Sequence, residues 1–205
     1  MVDNKTLMLQ GKIYDPSDPI LVKERLTAHN LCREYNSLPE DAERRQEILK
    51  YFFPDVEGLY LTGPIFFDYG TNIKFGKNCY ANFNFTVIDV CPVIIEDNVF
   101  FGPNVSILPP LHPLLAEERK LYFDENKQYW TDKEYGKPVH IGEGTWIAGN
   151  VVINGGVKIG KHCVIGSGSV VTRDIPDGCL AFGNPAKVIR KLDKNDSIYL
   201  KKELF

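Results

Sequence analysis

Ile141-Gly-Glu-Gly-Thr-Trp146, Ile147-Ala-Gly-Asn-Val-Val152, Ile153-Asn-Gly-Gly-Val-Lys158, Ile159-Gly-Lys-His-Cys-Val164, Ile165-Gly-Ser-Gly-Ser-Val170 and Val171-Thr-Arg-Asp-Ile-Pro176 are six consecutive hexads. Each opens on Ile or Val, the second position is mostly small or polar, and the fifth is small or β-branched: Thr145, Val151, Val157, Cys163, Ser169, Ile175. A period of six fits neither the helical repeat of about 3.6 residues nor the alternation of a simple strand. It fits a coil in which each hexad supplies one short strand and one corner. The first-position aliphatics then stack down the interior of a three-sided prism, and β-branched residues suit its flat faces. Glycine at the second position is expected to supply a corner conformation that costs other residues more. A sandwich of amphipathic strands would not produce six hexads in unbroken succession.

An earlier block repeats the pattern less cleanly, with Phe75-Gly76, Ala81-Asn82, Val87-Ile88, Ile95-Glu96, Phe101-Gly102 and Ile107-Leu108 opening successive units. The unit between Val87 and Ile95 is two residues too long. Between the blocks, residues 112–138 fit no hexad and are polar, charged and aromatic. A compact coil rarely keeps so long an unpatterned segment without a use for it. It reads as a loop projecting from one edge of a rigid scaffold.

Residues 1–58 read as helical. Ser17-Asp18 followed by Pro19 is an N-cap signal with proline at the first helical position, and Ile20-Leu21-Val22 through Leu26 to Leu31 gives one apolar stripe. A second helix is expected to start near Ser37, with Pro39-Glu40-Asp41 placing acid at the positive end of its dipole. Ile48, Leu49, Phe52 and Phe53 form its buried face, and Pro54 stops it. Two short helices cannot bury these faces on each other alone, so they are expected to cap the main domain or a neighbouring subunit. The tail Ser197–Phe205 is given a capping role at the other end. The chain therefore divides into an N-terminal helical segment (1–58), a β-helix (59–192) carrying the inserted loop 112–138, and a C-terminal tail (193–205).

With 24 basic against 27 acidic residues the formal charge is -3, and no run of Lys or Arg supplies a nucleic-acid footprint. The five cysteines are odd in number and scattered, with no CxxC pair, so neither a disulfide framework nor a cysteine zinc site is indicated. No apolar run is long enough to cross a bilayer, and the chain opens Met1-Val2-Asp3-Asn4-Lys5 without a signal-like stretch. A cytoplasmic location is the default expectation, with no membrane or nucleic-acid partner.

The hexads, together with Tyr80-Ala81-Asn82-Phe83-Asn84, the turn Leu111-His112-Pro113 and the closing Gly183-Asn184-Pro185-Ala186, resemble the hexapeptide acetyltransferases. The opening Tyr14-Asp15-Pro16-Ser17-Asp18-Pro19 is similar to the maltose and galactoside O-acetyltransferase branch, so the resemblance covers nearly the whole chain. It implies a mainly β fold, a left-handed parallel β-helix with an N-terminal helical cap and a projecting active-site loop, assembled as a homotrimer with sites between subunits. The implied activity is transfer of an acetyl group from acetyl-CoA to a sugar hydroxyl of maltose, glucose or galactoside type, with acetyl-CoA as co-substrate and no metal.

Such a transfer needs a base for the hydroxyl proton, donors for the developing oxyanion, and a site presenting the thioester at reacting distance. Of the four histidines, His29 lies in a predicted helix, His140 precedes the second block, and His162 fills the fourth position of its hexad. His112 sits where the loop leaves the coil, and the resemblance makes it the catalytic general base. The resemblance places Asn82, Asp89, Tyr80, Asp68 and Glu134 at acceptor-lining positions, Glu134 returning from the loop. Asn82 and Asp89 are expected to point outward from their units. Relatives acting on galactosides often carry two adjacent acids where this chain has Asp89-Val90, which puts the acceptor preference in question. Asp15 and Asp18 are both candidates for an acidic acceptor contact, with an N-cap the better explanation for Asp18. Gly102, Gly149 and Ser167 match positions along the coenzyme arm, and Thr172, Arg173, Lys187 and Arg190 match its nucleotide end. Trp146 is expected to pack beside the active-site loop.

Two other classes compete. Zinc carbonic anhydrases share the β-helix and need three convergent histidines, for which His112, His140 and His162 are the repeat-region candidates. A non-catalytic β-helix would need neither His112 beside a projecting loop nor cations at the matching C-terminal positions. Within the acetyltransferases, an antibiotic or serine acceptor is the alternative to a sugar.

Overall fold

Three parallel sheets form the prism in the computed structural model, which describes residues 2–204. The first face carries Tyr60–Leu61, Tyr80–Ala81, Phe100–Phe101, Trp146–Ile147, Val164–Ile165 and Cys179–Gly183. The second carries Ile65–Phe67, Phe85–Val87, Ser106–Leu108, Val152–Asn154 and Val170–Val171, and the third Ile73–Phe75, Val93–Ile95, Val139–Ile141 and Lys158–Ile159. Every first-position aliphatic of the six hexads is buried: Ile141, Ile147, Ile153, Ile159, Ile165 and Val171 fill one continuous core. The core is aromatic at its N-terminal end, where Phe67, Phe75, Phe85 and Phe101 stack, and aliphatic beyond.

Register explains the two imperfections. In the clean block Ile147 pairs with Ile165, eighteen residues on, whereas in the earlier block Ala81 pairs with Phe101, twenty residues on. The two surplus residues between Val87 and Ile95 recur one coil earlier, between Phe67 and Phe75. Both surpluses fall at the corner joining the second face to the third, and residues 112–138 leave the third coil at that same corner.

The role assigned to second-position glycine is corrected. The left-handed backbone belongs to the fourth position: Gly144, Asn150, Gly156, His162 and Gly168 all have positive φ, as do Asn84 and Asn104 in the earlier block. Asparagine tolerates that region by local hydrogen bonding, and here Asn84 donates to Asn104 and Asn104 to Asn150, at 2.9 and 3.0 Å. Second-position glycines are small for another reason. A Cβ on Gly142 would lie 2.6 Å from the backbone of Gly160 and Lys161 in the next coil.

Helix α1 (Asn4–Leu9), within the segment read as helical but not placed there as an element of its own, precedes α2 (Pro19–Ser37), whose N-cap Asp18 accepts from Ile20 N as expected. The buried stripe of α2 is Leu21, Ala28, Cys32 and Tyr35, while Ile20 and Leu26 face outward, contrary to the stripe read from the sequence. Helix α3 (Glu43–Phe52) starts later than expected: Leu38 precedes Pro39 and is held extended, and the backbone is extended again at the N-cap Ala42, so the helix begins only at Glu43. Its face is the expected one: Ile48, Leu49, Phe52 and Phe53 are buried. Phe52 meets Phe67 edge-on at 5.7 Å and Phe53 meets Phe75 at 5.0 Å, so the helices cap the first coil of their own chain. Buried Arg45 fixes this cap by donating to the carbonyls of Tyr35 and Thr62, both at 3.1 Å.

The loop has structure of its own. Pro110–Leu111 pairs antiparallel with Tyr135–Gly136 at its base, a short helix (Ala116–Arg119) follows His112, and Tyr122–Asp124 forms a hairpin with Tyr129–Thr131. At the far end of the coil, Ala186–Lys191 folds back on Cys179–Gly183 as the last strand of the first face. The described tail residues 197–204 form short 3-10 turns that bury nothing, so the capping role given to the tail does not hold for them; Phe205 lies outside the described residues.

Candidate active site

The outward residues of the first face form an aromatic row. Tyr60 stacks on Tyr80 at 6.1 Å, and Tyr80 meets Phe100 edge-on at 6.3 Å. Beside the row, at the corner leading to the second face, the coils after the one that carries exposed Phe83 present small or short residues. The result is a groove of about 700 Å3 that brings together Tyr80, Asn82, Gly102, Gly149 and Ser167. A Cβ on Gly102 would lie 2.6 Å from Gly149 N, so the coil stack itself demands glycine there. Neighbouring coils are about 4.8 Å apart, which makes the groove roughly 14 Å long from Asn82 to Ser167. Asn82 Oδ1 accepts from Phe83 N at 2.7 Å, and no partner of Nδ2 occurs among the described residues. Trp146 lines this groove, not the loop. Lys187 and Arg190 stand on the last strand at the C-terminal end of the same sheet, Arg190 gripped by Asp196 at 2.5 Å.

The remaining residues gather at the corner between the second and third faces. His112 is half-exposed, with Nδ1 3.6 Å from Asp132 Oδ2 and Nε2 4.0 Å from Glu134 Oε2. Glu134 is held by Tyr14, whose hydroxyl donates to Oε1 at 2.6 Å and whose backbone N donates to the Glu134 carbonyl at 3.0 Å. Burial raises the pKa of the Glu134 carboxyl above the usual range, against the Tyr14 bond and the nearby His112, which oppose it. Asp68, two coils earlier, faces His29 at 3.2 Å. Arg25, on α2, donates to Tyr69 OH at 2.9 Å, and its charge is felt by Asp68. Thr172 and Arg173 follow Val170–Val171 and are exposed at this corner, two coils further along, not in the first-face groove.

Two acidic residues serve this corner from beneath. Asp89 does not point outward as expected: it is fully buried and accepts from Tyr69 N at 2.8 Å and Asn72 N at 3.1 Å, pinning the overlong turn above it. As placed, its oxygens meet backbone amides and not an acceptor. Burial pushes its carboxyl up to about 6, against those amide bonds. Its raised value means the stabilising contribution is complete below the ordinary aspartate range and is lost as pH rises through about 6. The melting temperature of the native protein is therefore expected to fall relative to Asp89→Asn between about pH 4 and about pH 7. Paired thermal melts check this, and a pH-independent offset would contradict it.

Asp15 is also engaged. Oδ2 accepts from Lys127 at 2.6 Å and from Tyr129 at 2.7 Å, while Oδ1 accepts from Ser17 N at 3.0 Å and from Thr131. Burial pushes this carboxyl up, but the Lys127, Thr131 and Tyr129 bonds outweigh it and hold it below the usual range. The carboxylate is thus the anchor of the projecting loop on the N-terminal segment. Asp15→Ala is expected to speed amide hydrogen exchange across residues 122–131 by about tenfold or more, the loss of about 1.5–3 kcal/mol for a charge-assisted bond. Unchanged exchange would remove Asp15 from that role.

The zinc alternative fails on geometry. His140 stands on the outer side of the third face against Glu96 at 2.8 Å, and His162 fills a left-handed corner between the third and first faces, so neither joins His112. Among the described residues no group of three His, Cys, Asp or Glu side chains is arranged to hold a metal ion. Tyr14, Arg25 and Asp132 were not singled out by sequence reasoning. Tyr14 and Glu134 are 120 residues apart, and no local pattern joins them.

The coil and its two lined corners define the protein as a hexapeptide-repeat transferase. Family models agree: the maltose acetyltransferase hexapeptide capping motif matches residues 7–58, the bacterial transferase hexapeptide (six repeats) residues 138–173, and the hexapeptide repeat of succinyl-transferase residues 92–109. A galactoside O-acetyltransferase of Escherichia coli (strain K12) is 40% identical over 94% of this chain and 91% of its own. The crystal structure of a maltose O-acetyltransferase from Clostridium difficile 630 superposes with a TM-score of 0.80 at 40% identity, over 94% of this chain and 99% of that one. A galactoside acetyltransferase in complex with coenzyme A gives 0.85 at 38% identity, over 96% and 94%. The chain belongs to the hexapeptide-repeat acetyltransferases, in their maltose and galactoside O-acetyltransferase branch. No helix among the described residues is long and apolar enough to cross a membrane.

Proposed function

We propose that this chain transfers the acetyl group of acetyl-CoA to a hydroxyl of a sugar, with His112 as general base. The observation that carries the reading is the groove in which Tyr80, Asn82, Gly102, Gly149 and Ser167 lie along one edge of the prism. It suits a long thin ligand: an arm rich in amides can run past Gly102, Gly149 and Ser167, where the coils carry no bulk, with Lys187 and Arg190 toward one end for phosphate. The related galactoside acetyltransferase carries coenzyme A.

The groove and His112 occupy different corners of one chain, so a complete site takes two copies side by side. A neighbour would bring His112, Asp68, Glu134, Thr172 and Arg173 against the groove of the first. A head-to-tail contact of this kind closes into a ring, which accords with a homotrimer. In the joined site the imidazole takes the acceptor's hydroxyl proton as that oxygen bonds to the acetyl carbon. The carbon–sulfur bond then breaks, and the imidazolium returns the proton to the coenzyme A thiolate. The carboxylates on the Nε2 side of His112, Glu134 with Asp68 in its field, offer acceptors for more than one hydroxyl at once, which favours a polyol over a hydrophobic antibiotic.

A thiol-release assay with acetyl-CoA against maltose, glucose, galactosides, serine and chloramphenicol tests this directly. Turnover with at least one sugar is expected. No turnover with any sugar, together with turnover on the antibiotic or on serine, would overturn the acceptor class.

A further inference from the structure

We propose that Asp132 is a positioning residue that holds His112 in one tautomer, with the proton on Nδ1 and the lone pair of Nε2 free to act as the base. This rests on the general-base reading of His112. The ring has a carboxylate on each side, Asp132 at 3.6 Å from Nδ1 and Glu134 at 4.0 Å from Nε2, so either could in principle orient it. What separates them is how each carboxylate is otherwise occupied. Glu134 already accepts the Tyr14 hydroxyl at 2.6 Å on Oε1, and its other oxygen is the farther of the two from the ring. No hydrogen bond to the Asp132 carboxylate occurs among the described residues; its one close contact is the imidazole.

The backbone around Asp132 is fixed from both sides. Thr131 is fully buried and donates to Asp15, and its hydroxyl also lies 3.4 Å from the Asp132 carbonyl. Two residues further, Glu134 is bound to Tyr14 through both backbone and side chain, and Tyr135–Gly136 pairs with Pro110–Leu111, the two residues before His112. The ring directly follows one of the two paired strands, and the carboxylate lies three residues before the other. The short closing movement from 3.6 Å to hydrogen-bond length is of the kind that accompanies formation of a substrate complex.

The assignment has a chemical consequence at Nε2. With Nδ1–H committed to Asp132, Nε2, which Glu134 approaches only to 4.0 Å, is left for an acceptor hydroxyl that donates its proton to the ring while a neighbouring hydroxyl donates to Glu134. The opposite tautomer would put the lone pair of Nδ1 against the Asp132 carboxylate, an arrangement of two acceptors with no proton between them.

The experiment compares wild type, Asp132→Asn, Asp132→Glu and His112→Ala in the full-length protein. The readouts are kcat and KM for acetyl-CoA and for the best sugar of the acceptor screen, and the His112 tautomer by long-range nitrogen–proton NMR without ligands. Expected in wild type is the Nδ1–H form. Asp132→Asn is expected to lower kcat by about 10- to 100-fold, the usual scale for losing a ligand-orienting partner, with each KM changed less than about threefold and the tautomer preference lost. Asp132→Glu is expected to recover part of both. Wild-type kcat and an unchanged tautomer in Asp132→Asn, with His112→Ala inactive, would overturn the positioning role alone. A raised sugar KM at unchanged kcat would make Asp132 an acceptor contact and equally overturn it. Normal activity in His112→Ala would instead remove the general-base reading beneath it.

Discussion

Replacing His112 by Ala is expected to lower acetyl-transfer turnover by about two to four orders of magnitude, the range carried by a positioned general base. The fold should not notice the change. The ring is half-exposed, makes no hydrogen bond among the described residues, and its two carboxylate contacts lie at 3.6 and 4.0 Å, too long to contribute measurably to stability. The loop it introduces is held by Asp15, Tyr14 and the 110–111/135–136 pairing, none of which involves the imidazole. The check is a steady-state assay with acetyl-CoA and the preferred sugar, paired with a thermal melt. A variant that acetylates at the normal rate would sink the assignment; a variant that is inactive but also unfolded would show that the corner depends on the ring for its structure.

Gly142→Val should destabilise the fold by about 3 kcal/mol or more, at or beyond the upper end of ordinary overpacking. The added atoms would enter the backbone of the next coil, 2.6 Å from Gly160 C and Lys161 N, and neither can move without breaking the ladder that joins Val139–Ile141 to Lys158–Ile159. Gly168→Ala is the informative control. Gly168 has a φ of +73°, but a Cβ there meets nothing within 4 Å, so its cost is the left-handed backbone alone, roughly 1–2 kcal/mol. Calorimetric melts of the two variants separate the second-position requirement for close approach from the fourth-position requirement for a left-handed turn. Equal losses would mean that the two positions share one physical cause.

That distinction is where the sequence was least legible. Second-position glycine recurs at 76, 102, 142, 160 and 166, and a repeat alone does not say whether the glycine is wanted for its φ or for its lack of a side chain. The mixed fourth position, with Gly, Asn and His, carries the signal for the left-handed corner, since Asn is the commonest substitute for Gly there. The helical cap was legible where aromatic residues made its face, as at Phe52 and Phe53, and misread in α2, where small Ala28 and Cys32 are buried and bulky Ile20 and Leu26 are not. The buried row Leu21, Ala28, Cys32 and Tyr35 runs at spacings of seven, four and three, and a reading that follows only the aliphatic residues passes over its small and aromatic members.

By itself, the sequence determined the coil: six hexads with an aliphatic at each first position can satisfy their backbones and bury their apolar rows only by stacking turn upon turn. It also marked the two irregular places, the overlong unit near Asp89 and the break at His112. Only the tertiary structure decided what those places do. The surplus residues and the loop share one corner because consecutive coils stack in register, which sets Asp68, Asp89 and His112 above one another although twenty or more residues separate each from the next. The same stacking turned Asp89 inward to hold a turn, gave Asp15 to the loop hairpin, and brought Tyr14 to Glu134 across 120 residues of chain. Such pairings depend on where whole elements dock, and no periodic pattern within a strand or a helix encodes them.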